Sequence, residues 1–438
     1  MLNIFRYLKY KIVALLLVIF WILSLPIQAQ ESKEADKISG EIFGKGGGYI
    51  HPSLSVGGVY TDNVFLTAKD EKDDFLWVIS PEIWLVLPGS RIKPMTLAVS
   101  PRTPAGFTMS RPNPESFRRY QTYLYYGAEI LRYSDFSIMD FDSHRLEGLF
   151  QYNLRSGLSI ELLDQYTISF DEVGVDAITL RDQYKNNLFG AILSYDVTTR
   201  FQLRLDYTNM GIDYENSALS ERDRSDNAYS AYLFFNIKPK ISIFAQYRFI
   251  DIEYDINTLA DNSREQQYFG GIQWDMTARS RGRFKAGYGV KDFDDAAIDN
   301  ADNFILEAEL HHIFTPKTTL NLTGFRRTDE TRIPGTAYVL THGVTADYDQ
   351  RITEKLTGHI FLAYSLDDYQ GDSTFEGETK EREDDFIRLR PSLRYKFARW
   401  LMAEAAYLFS RRNSNFSEFD FTENRFSFRI SASLYDDF

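Results

Sequence analysis

The chain of 438 residues contains no cysteine, so disulfides, thiol chemistry and a lipid-anchored amino terminus are all excluded. Its six histidines, His51, His144, His311, His312, His342 and His359, fall in no hydrolase motif. His311 and His312 are adjacent on an expected strand, so they point to opposite faces and cannot share a metal. Asp142 and His144 share a face and could form a dyad, although a satisfied structural pair explains them better. No phosphate-binding glycine loop occurs, because GKGGG at Gly44 has no following helix pattern and reads as a flexible lead-in. These absences argue against an enzyme and leave no residues to assign to catalysis, a cofactor or a metal. Positive charge is also short: the formal net charge is −13, which disfavours nucleic acid as a partner.

The chain also lacks a long apolar run, except at its start. MLNIFRYLKYKIVALLLVIFWILSLPIQA places Arg6, Lys9 and Lys11 before an apolar stretch from Ile12 to Leu25, with the small residue Ala29 after Pro26. A basic start, an apolar centre and a small residue at the cut describe a secretory signal peptide over 1–29. The apolar run is shorter than the roughly 20 residues an anchoring helix needs. Cleavage there removes three bases and no acid, taking the charge to −16. Residues 30–47 form a short periplasmic lead-in, far below the hundred or so residues of a plug domain.

What the chain does have is aromatic residues, 34 Phe and 28 Tyr, at a mean hydropathy of only −0.33. They occur in two-residue alternation, the period of a strand. Phe201, Leu203, Leu205 and Tyr207 alternate with Gln202, Arg204, Asp206 and Thr208. Ile387, Leu389, Leu393 and Tyr395 oppose Arg388, Arg390, Ser392 and Arg394. Such strands are too charged on one side for a sandwich core and too apolar on the other for water. Their reach of about 9–12 residues matches a tilted bilayer crossing.

The connections alternate as well. Short turns follow an aromatic residue or His at Tyr152, Tyr195, Phe235, Trp274, His312, Tyr348 and Tyr395, at intervals of 36 to 47 residues. Between them lie two strands and a longer acidic connection, such as DYENSALSERDRSD from Asp213. Short turns on one rim, long loops on the other and aromatics at the interface are the marks of an outer-membrane barrel. The expected fold is therefore all-β: a transmembrane antiparallel up-and-down barrel of about 18 strands (16–20), spanning 48–438, in the cell outer membrane. The last run, RFSFRISASLYDDF, keeps an apolar phase and ends on Phe438, resembling the signal that barrel assembly machinery recognises.

Two regions stand out. Residues 88–119 fall on the short-turn side but are long, with six prolines and six bases against the single acid Glu115. They read either as a hidden hairpin or disordered turn, or as a periplasmic plug or docking segment. The strand Phe75–Leu87 is apolar on both faces. Phe75, Trp77, Ile79, Ile83, Leu85 and Leu87 suit lipid, whereas Leu76, Val78, Trp84 and Val86 can pack something inside the barrel. Pro81 predicts a bulge or bend there, and the acid-rich Asp70–Asp74 is expected to be solvated at the outer rim.

The same region carries a resemblance. GYIHPSLSVGGVYTDNVF followed by DDFLWVISPEIWLVLPG resembles the outer-membrane β-barrel porins associated with exopolysaccharide biosynthesis and export, through Asp62, Asn63, Val64, Phe65, Asp73, Asp74 and Pro81. YQTYLYYGAEILRYSDF and DSHRLEGLFQYNL, with His144, extend it. The resemblance implies a conduit for capsule or biofilm polysaccharide, working with a periplasmic export partner, among outer-membrane lipid and lipopolysaccharide. The residues themselves also allow a general or sugar-selective diffusion porin, or a structural or adhesive barrel without transport. Lumen-lining candidates are Arg248, Lys285, Glu307 and Glu309, with Arg388, Arg390 and Arg394 taken as a group.

Overall fold

Alternation of apolar and polar side chains becomes a closed wall in the computed structural model. It describes residues 49–87, 100–106, 119–170, 182–256, 262–277, 279–331, 333 and 335–433. The signal peptide, the 30–47 segment, much of the basic insertion and Phe438 lie outside the described residues.

The strands are β1 (Ile50–Thr61), β2 (Asp74–Leu87), β3 (Tyr120–Tyr133), β4 (Phe141–Asn153), β5 (Leu158–Phe170), β6 (Gln183–Asp196), β7 (Phe201–Tyr214), β8 (Arg224–Lys238) and β9 (Ile241–Tyr254). They continue with β10 (Ser263–Thr277), β11 (Ser280–Phe293), β12 (Ala301–Thr315), β13 (Thr318–Asp329), β14 (Tyr338–Arg351), β15 (Leu356–Phe375), β16 (Glu378–Ala398), β17 (Leu401–Ser414) and β18 (Phe421–Ser433). Every strand pairs antiparallel with its chain neighbours, and β1 pairs with β18 from Ser53↔Ser433 to Thr61↔Arg425. An 18-strand sheet thus closes on itself, and no edge is left. All seven sequence-predicted short turns join strands at one rim, which the short-turn rule assigns to the periplasm.

The outer face is greasy. Trp77, Leu233, Phe304, Leu393, Phe426 and Phe428 are all exposed, as lipid contact requires. Toward the short-turn rim the outer face carries Tyr195, Phe201, Trp400 and Phe397, a belt of amphipathic rings at the interface.

The inner face divides in two. On β2–β9 it is largely buried: Trp84, Val86, Tyr123, Leu163, Leu188, Met210, Ile212, Ile250 and Ile252 belong to one apolar cluster, joined by Ala105, and beside it lie buried polar and charged groups such as Glu147, Glu161, Gln165, Arg204 and Asp206. Leu76 and Val78 of β2 pack in a second apolar cluster. Pro81 corrects the expectation of a bulge: β1–β2 register runs through it unbroken, and β2–β3 pairing lapses only between Ile79↔Ile130 and Glu82↔Gly127 without a shift. Without an N–H, Pro81 omits a bond rather than forcing a bulge.

Asp74 supplies a second correction. It is not solvated but 2% exposed, because its carboxylate accepts the backbone N–H groups of Phe75, Asp135 and Phe136 at 2.6 to 3.2 Å. It organises the crossing from β2 to the β3–β4 connection.

Candidate functional site

Residues 100–106 lie between β2 and β3, both of which meet this connection at the short-turn rim. Their partners, however, sit near the opposite rim and on the inner wall. Ala105 is 2% exposed, and its N–H donates to Asp226 Oδ2 at 3.0 Å, two residues into β8. Arg224 Nη2 donates to the Thr103 carbonyl at 3.3 Å, and Arg224 pairs with Asp226 at 3.1 Å. On the far side, Arg102 Nη1 pairs with Asp367 Oδ2 of β15 at 2.9 Å, its guanidinium 5.9 Å from the Tyr369 ring centroid. This short piece of chain therefore packs through Ala105 in the cluster that holds Trp84 and Val86 of β2 and is fastened to β8 and β15. Those three strands are spaced almost evenly around the wall, so the strap spans the interior.

The strap meets a second inward element. The β13–β14 tip bends over the interior, and the Glu330 N–H donates to the Arg102 carbonyl at 2.7 Å. The Glu330 carboxylate takes Lys291 of β11 and the Tyr254 hydroxyl of β9, the latter at 2.9 Å. Thr328 donates to Glu265 of β10 at 2.6 Å. The tip is held against β15 by Thr336–Ser373, and Ala337 N–H donates to the Gln370 carbonyl. At that contact Gly335 (φ +85°) and Gly371 (φ +118°) are required, because a Cβ on either would lie 2.3 Å from a facing carbonyl oxygen. Burying Glu330, Asp226, Arg224 and Lys291 costs several kcal/mol per ion unless each is paired and hydrogen-bonded. All four are.

Of the sequence-predicted lumen residues, three come together. Glu307 of β12 pairs with Lys285 of β11 at 2.9 Å and Arg248 of β9 at 3.8 Å, and Lys285 lies 4.2 Å from the Phe269 ring centroid. Glu309 sits on the same face of β12, opposite Arg283. Arg388, Arg390 and Arg394 lie together on the inner phase of β16, alternating with exposed Leu389 and Leu393. Arg390 and Arg394 share Glu404 of β17, Arg394 Nε at 2.8 Å, and the Arg388 guanidinium is 5.1 Å from the Phe386 ring centroid. Asp142 and His144 share a face, the outer one, and each has a structural partner of its own: Asp142 pairs with Arg132 at 2.6 Å and His144 Nδ1 contacts the Tyr126 hydroxyl. Among the described residues no group of His, Cys, Asp and Glu could hold a metal.

The resemblance residues prove structural. Asp62 accepts the N–H and side-chain amide of Asn424, both at 2.7 Å, and Asn63, fully buried, donates to the carbonyls of Thr422 and Thr67. They fasten β1 to β18, where the barrel seals. Val64 is buried, Phe65 packs edge-on against Phe136, and Asp73 accepts from Tyr60. Sequence reasoning missed Arg102, Asp226, Glu330 and Asp367. A signal existed: Arg-x-Asp puts both charges on one face of a strand. It recurs at Arg204/Asp206, Arg224/Asp226, Arg327/Asp329 and Arg382/Asp384, each an ion pair at 2.5 to 3.1 Å.

Residues 115–433 match the family described as Putative beta-barrel porin 2. The chain belongs to that family. It is an outer-membrane β-barrel of the porin type, a channel architecture rather than an enzyme one. No curated protein sequence matches the porin. Its fold is similar to Pseudomonas aeruginosa OpdO, at 13% identity and TM-score 0.42, covering 88% of this chain and 98% of that one. It is also similar to Acinetobacter baumannii OccAB4, at 10% identity and TM-score 0.43, covering 88% and 98%. A third likeness is to P. aeruginosa OpdK crystallised with vanillate, at 12% identity and TM-score 0.43, covering 88% and 99%.

Proposed function

We propose that the porin is a selective diffusion channel for small hydrophilic solutes. The observation that carries this reading is the strap, since residues 100–106 are fastened to both β8 and β15 and narrow the interior against a chain-like polymer. An unobstructed barrel of 16–18 strands encloses an aqueous channel. Here the buried, closely packed inner face of β2–β9 removes one side from that space, and the more solvated wall of β14–β18 and β1 remains for solute. Mixed charges there hydrate a path and hold solutes weakly enough to release them. Purified porin in planar bilayers should show a small steady conductance without any partner, and liposome swelling should fall sharply as sugars grow beyond a few residues. Absence of conductance from folded protein would sink the reading in favour of a structural or adhesive barrel.

The polysaccharide-export reading draws support from one feature: the strap belongs to the connection at the rim where a periplasmic export partner would bind. In that case a partner would displace it to pass a polymer. A deletion strain that secretes normal surface polysaccharide would count heavily against export. Lipopolysaccharide around the outer rim and the barrel assembly machinery are the remaining partners this reading expects.

A further inference from the structure

Three adjacent strands give the solvated side of the interior an uneven charge. Side chains at even positions of β16 and β17 and odd positions of β18 face inward, opposite the exposed Leu393, Phe426, Phe428 and Ile430. In the register, Arg394, Glu404 and Arg429 form one row, and Ser392, Ala406 and Ser427 form the next. The row beyond places Arg425 beside Leu408, level with Arg390 of β16. Four arginines thus stand at the corners of a floor made of small residues. Strand spacing and rise make the frame about 13 Å by 10 Å between Cα atoms. Across from Arg429, β1 offers Gly57, which adds no side chain to crowd the recess.

The arginines are not withdrawn into the wall. Their side chains retain 32% (Arg390), 33% (Arg394), 39% (Arg425) and 40% (Arg429) exposure. Inside the frame, Glu404 serves both Arg390 and Arg394, and one row beyond it Glu423 serves Arg425 at 2.6 Å. Arg429 reaches Glu129 of β3 only at 4.0 Å. Arg394 likewise reaches Asp349 of β14 only at 4.0 Å, so the four cations hold two carboxylates closely and two loosely. In a chain of net charge −13, four partly exposed arginines on neighbouring strands are a local concentration of positive charge. Guanidinium forks match the planar oxygens of carboxylate and the faces of phosphate, and partial exposure favours weak, reversible capture over tight binding.

We propose that the Arg390–Arg394–Arg425–Arg429 frame is a binding site for small oxyanion-bearing solutes, carboxylate or phosphate, on the transport path. The proposal rests on the diffusion reading only for the words "transport path"; the site itself stands on the frame. It makes the β16–β18 wall the selective element, away from the barrel axis.

The test is calorimetric titration of the detergent-folded full chain with sodium glucuronate, inorganic phosphate and glucose, with heat-modifiable gel migration reporting folding. Both anions, or one of them, should bind with millimolar affinity while glucose gives no heat; which anion binds identifies carboxylate or phosphate as the recognised group. The double change R425Q/R429Q should weaken binding by about tenfold or more. Ser427→Glu, which leaves all four arginines in place but puts a carboxylate on the floor, should do the same and serves where the double variant fails to fold. Heats for both anions equal to that for glucose, or anion binding untouched by both variants, would overturn the site. Bilayer recordings on the same preparations separate the two claims. Binding without conductance removes the diffusion reading and keeps the site, whereas conductance without anion binding does the reverse.

Discussion

Loosening the strap without touching the barrel wall should enlarge the channel. Arg102→Ala combined with Ala105→Pro alters the strap alone. Arg102→Ala removes the pair with Asp367, whose side chains are 20% and 13% exposed; discounted for that solvent access, the pair contributes about 1 kcal/mol. Ala105→Pro removes the N–H that meets Asp226, a hydrogen bond to a charged acceptor worth about 1.5–3 kcal/mol. Ala105 is 2% exposed, so the added ring atoms cost a further 1–3 kcal/mol or so by overpacking. The anchors lie on β8 and β15, far enough apart to add, and the docked strap loses about 3–7 kcal/mol. At about 1.4 kcal/mol per decade, the ratio of docked to undocked strap falls on the order of 10² to 10⁵-fold. Single-channel recordings should then show frequent openings well above the wild-type level, with unchanged gel migration of the folded barrel. A conductance histogram identical to wild type, from barrels proven folded, would refute the reasoning that the strap sets the bore.

Three further outcomes follow from the geometry. Asn63→Ala strands two backbone carbonyls and the Thr67 N–H at the β1–β18 seam; it should cost about 2–5 kcal/mol and lower the temperature at which the band unfolds on heated gels. Phe428→Arg puts a cation on the lipid face where Phe428 is 53% exposed, and should cost about 2–4 kcal/mol in refolding titrations if it lies near the midplane. Asp223, in the β7–β8 connection, is pushed up to about 7 by burial and by its neighbours Asp213 and Asp255. The folded protein binds more protons there than the unfolded chain, so the contribution is fully present below the usual carboxylate range and is lost as pH rises through 7. Protease nicking of residues 215–223 should accordingly increase between pH 5 and pH 8, and Asp223→Asn should flatten that dependence.

How much of this was written legibly in the sequence depends on the face considered. Outer positions need only be apolar, a demand that repeats every second residue. Alternation and turn spacing therefore led to about 18 strands, the number the barrel has, and to the seven short turns that join them at one rim. Inner positions answer to whatever lies across the interior, which no local pattern encodes. Leu188 and Ile192 face inward and are buried, yet their run also reads as an ordinary lipid-facing strand. Arg388, Arg390 and Arg394 were recognisable as a row because alternation sets them apart from Leu389 and Leu393. Their carboxylate partner was not, because Glu404 reaches them through β16–β17 register. The strap was least legible: its residues are proline, threonine and arginine in an insertion without periodicity, and its meaning comes from Asp226 and Asp367, 121 and 265 positions away. The motif residues Asp62 and Asn63 signalled kinship correctly, but their work is to tie the seam.

That seam has a consequence for biogenesis. The first strand's second partner is also the last strand to leave the ribosome, so pairing Ser53 with Ser433 must wait for nearly the whole chain to cross the inner membrane. Until then two long rows of unmatched amides face the periplasm, ready to pair with any neighbouring polypeptide. Chaperone escort through that interval becomes a condition of folding. A premature stop anywhere before β18 would yield an aggregation-prone ribbon, not a smaller pore.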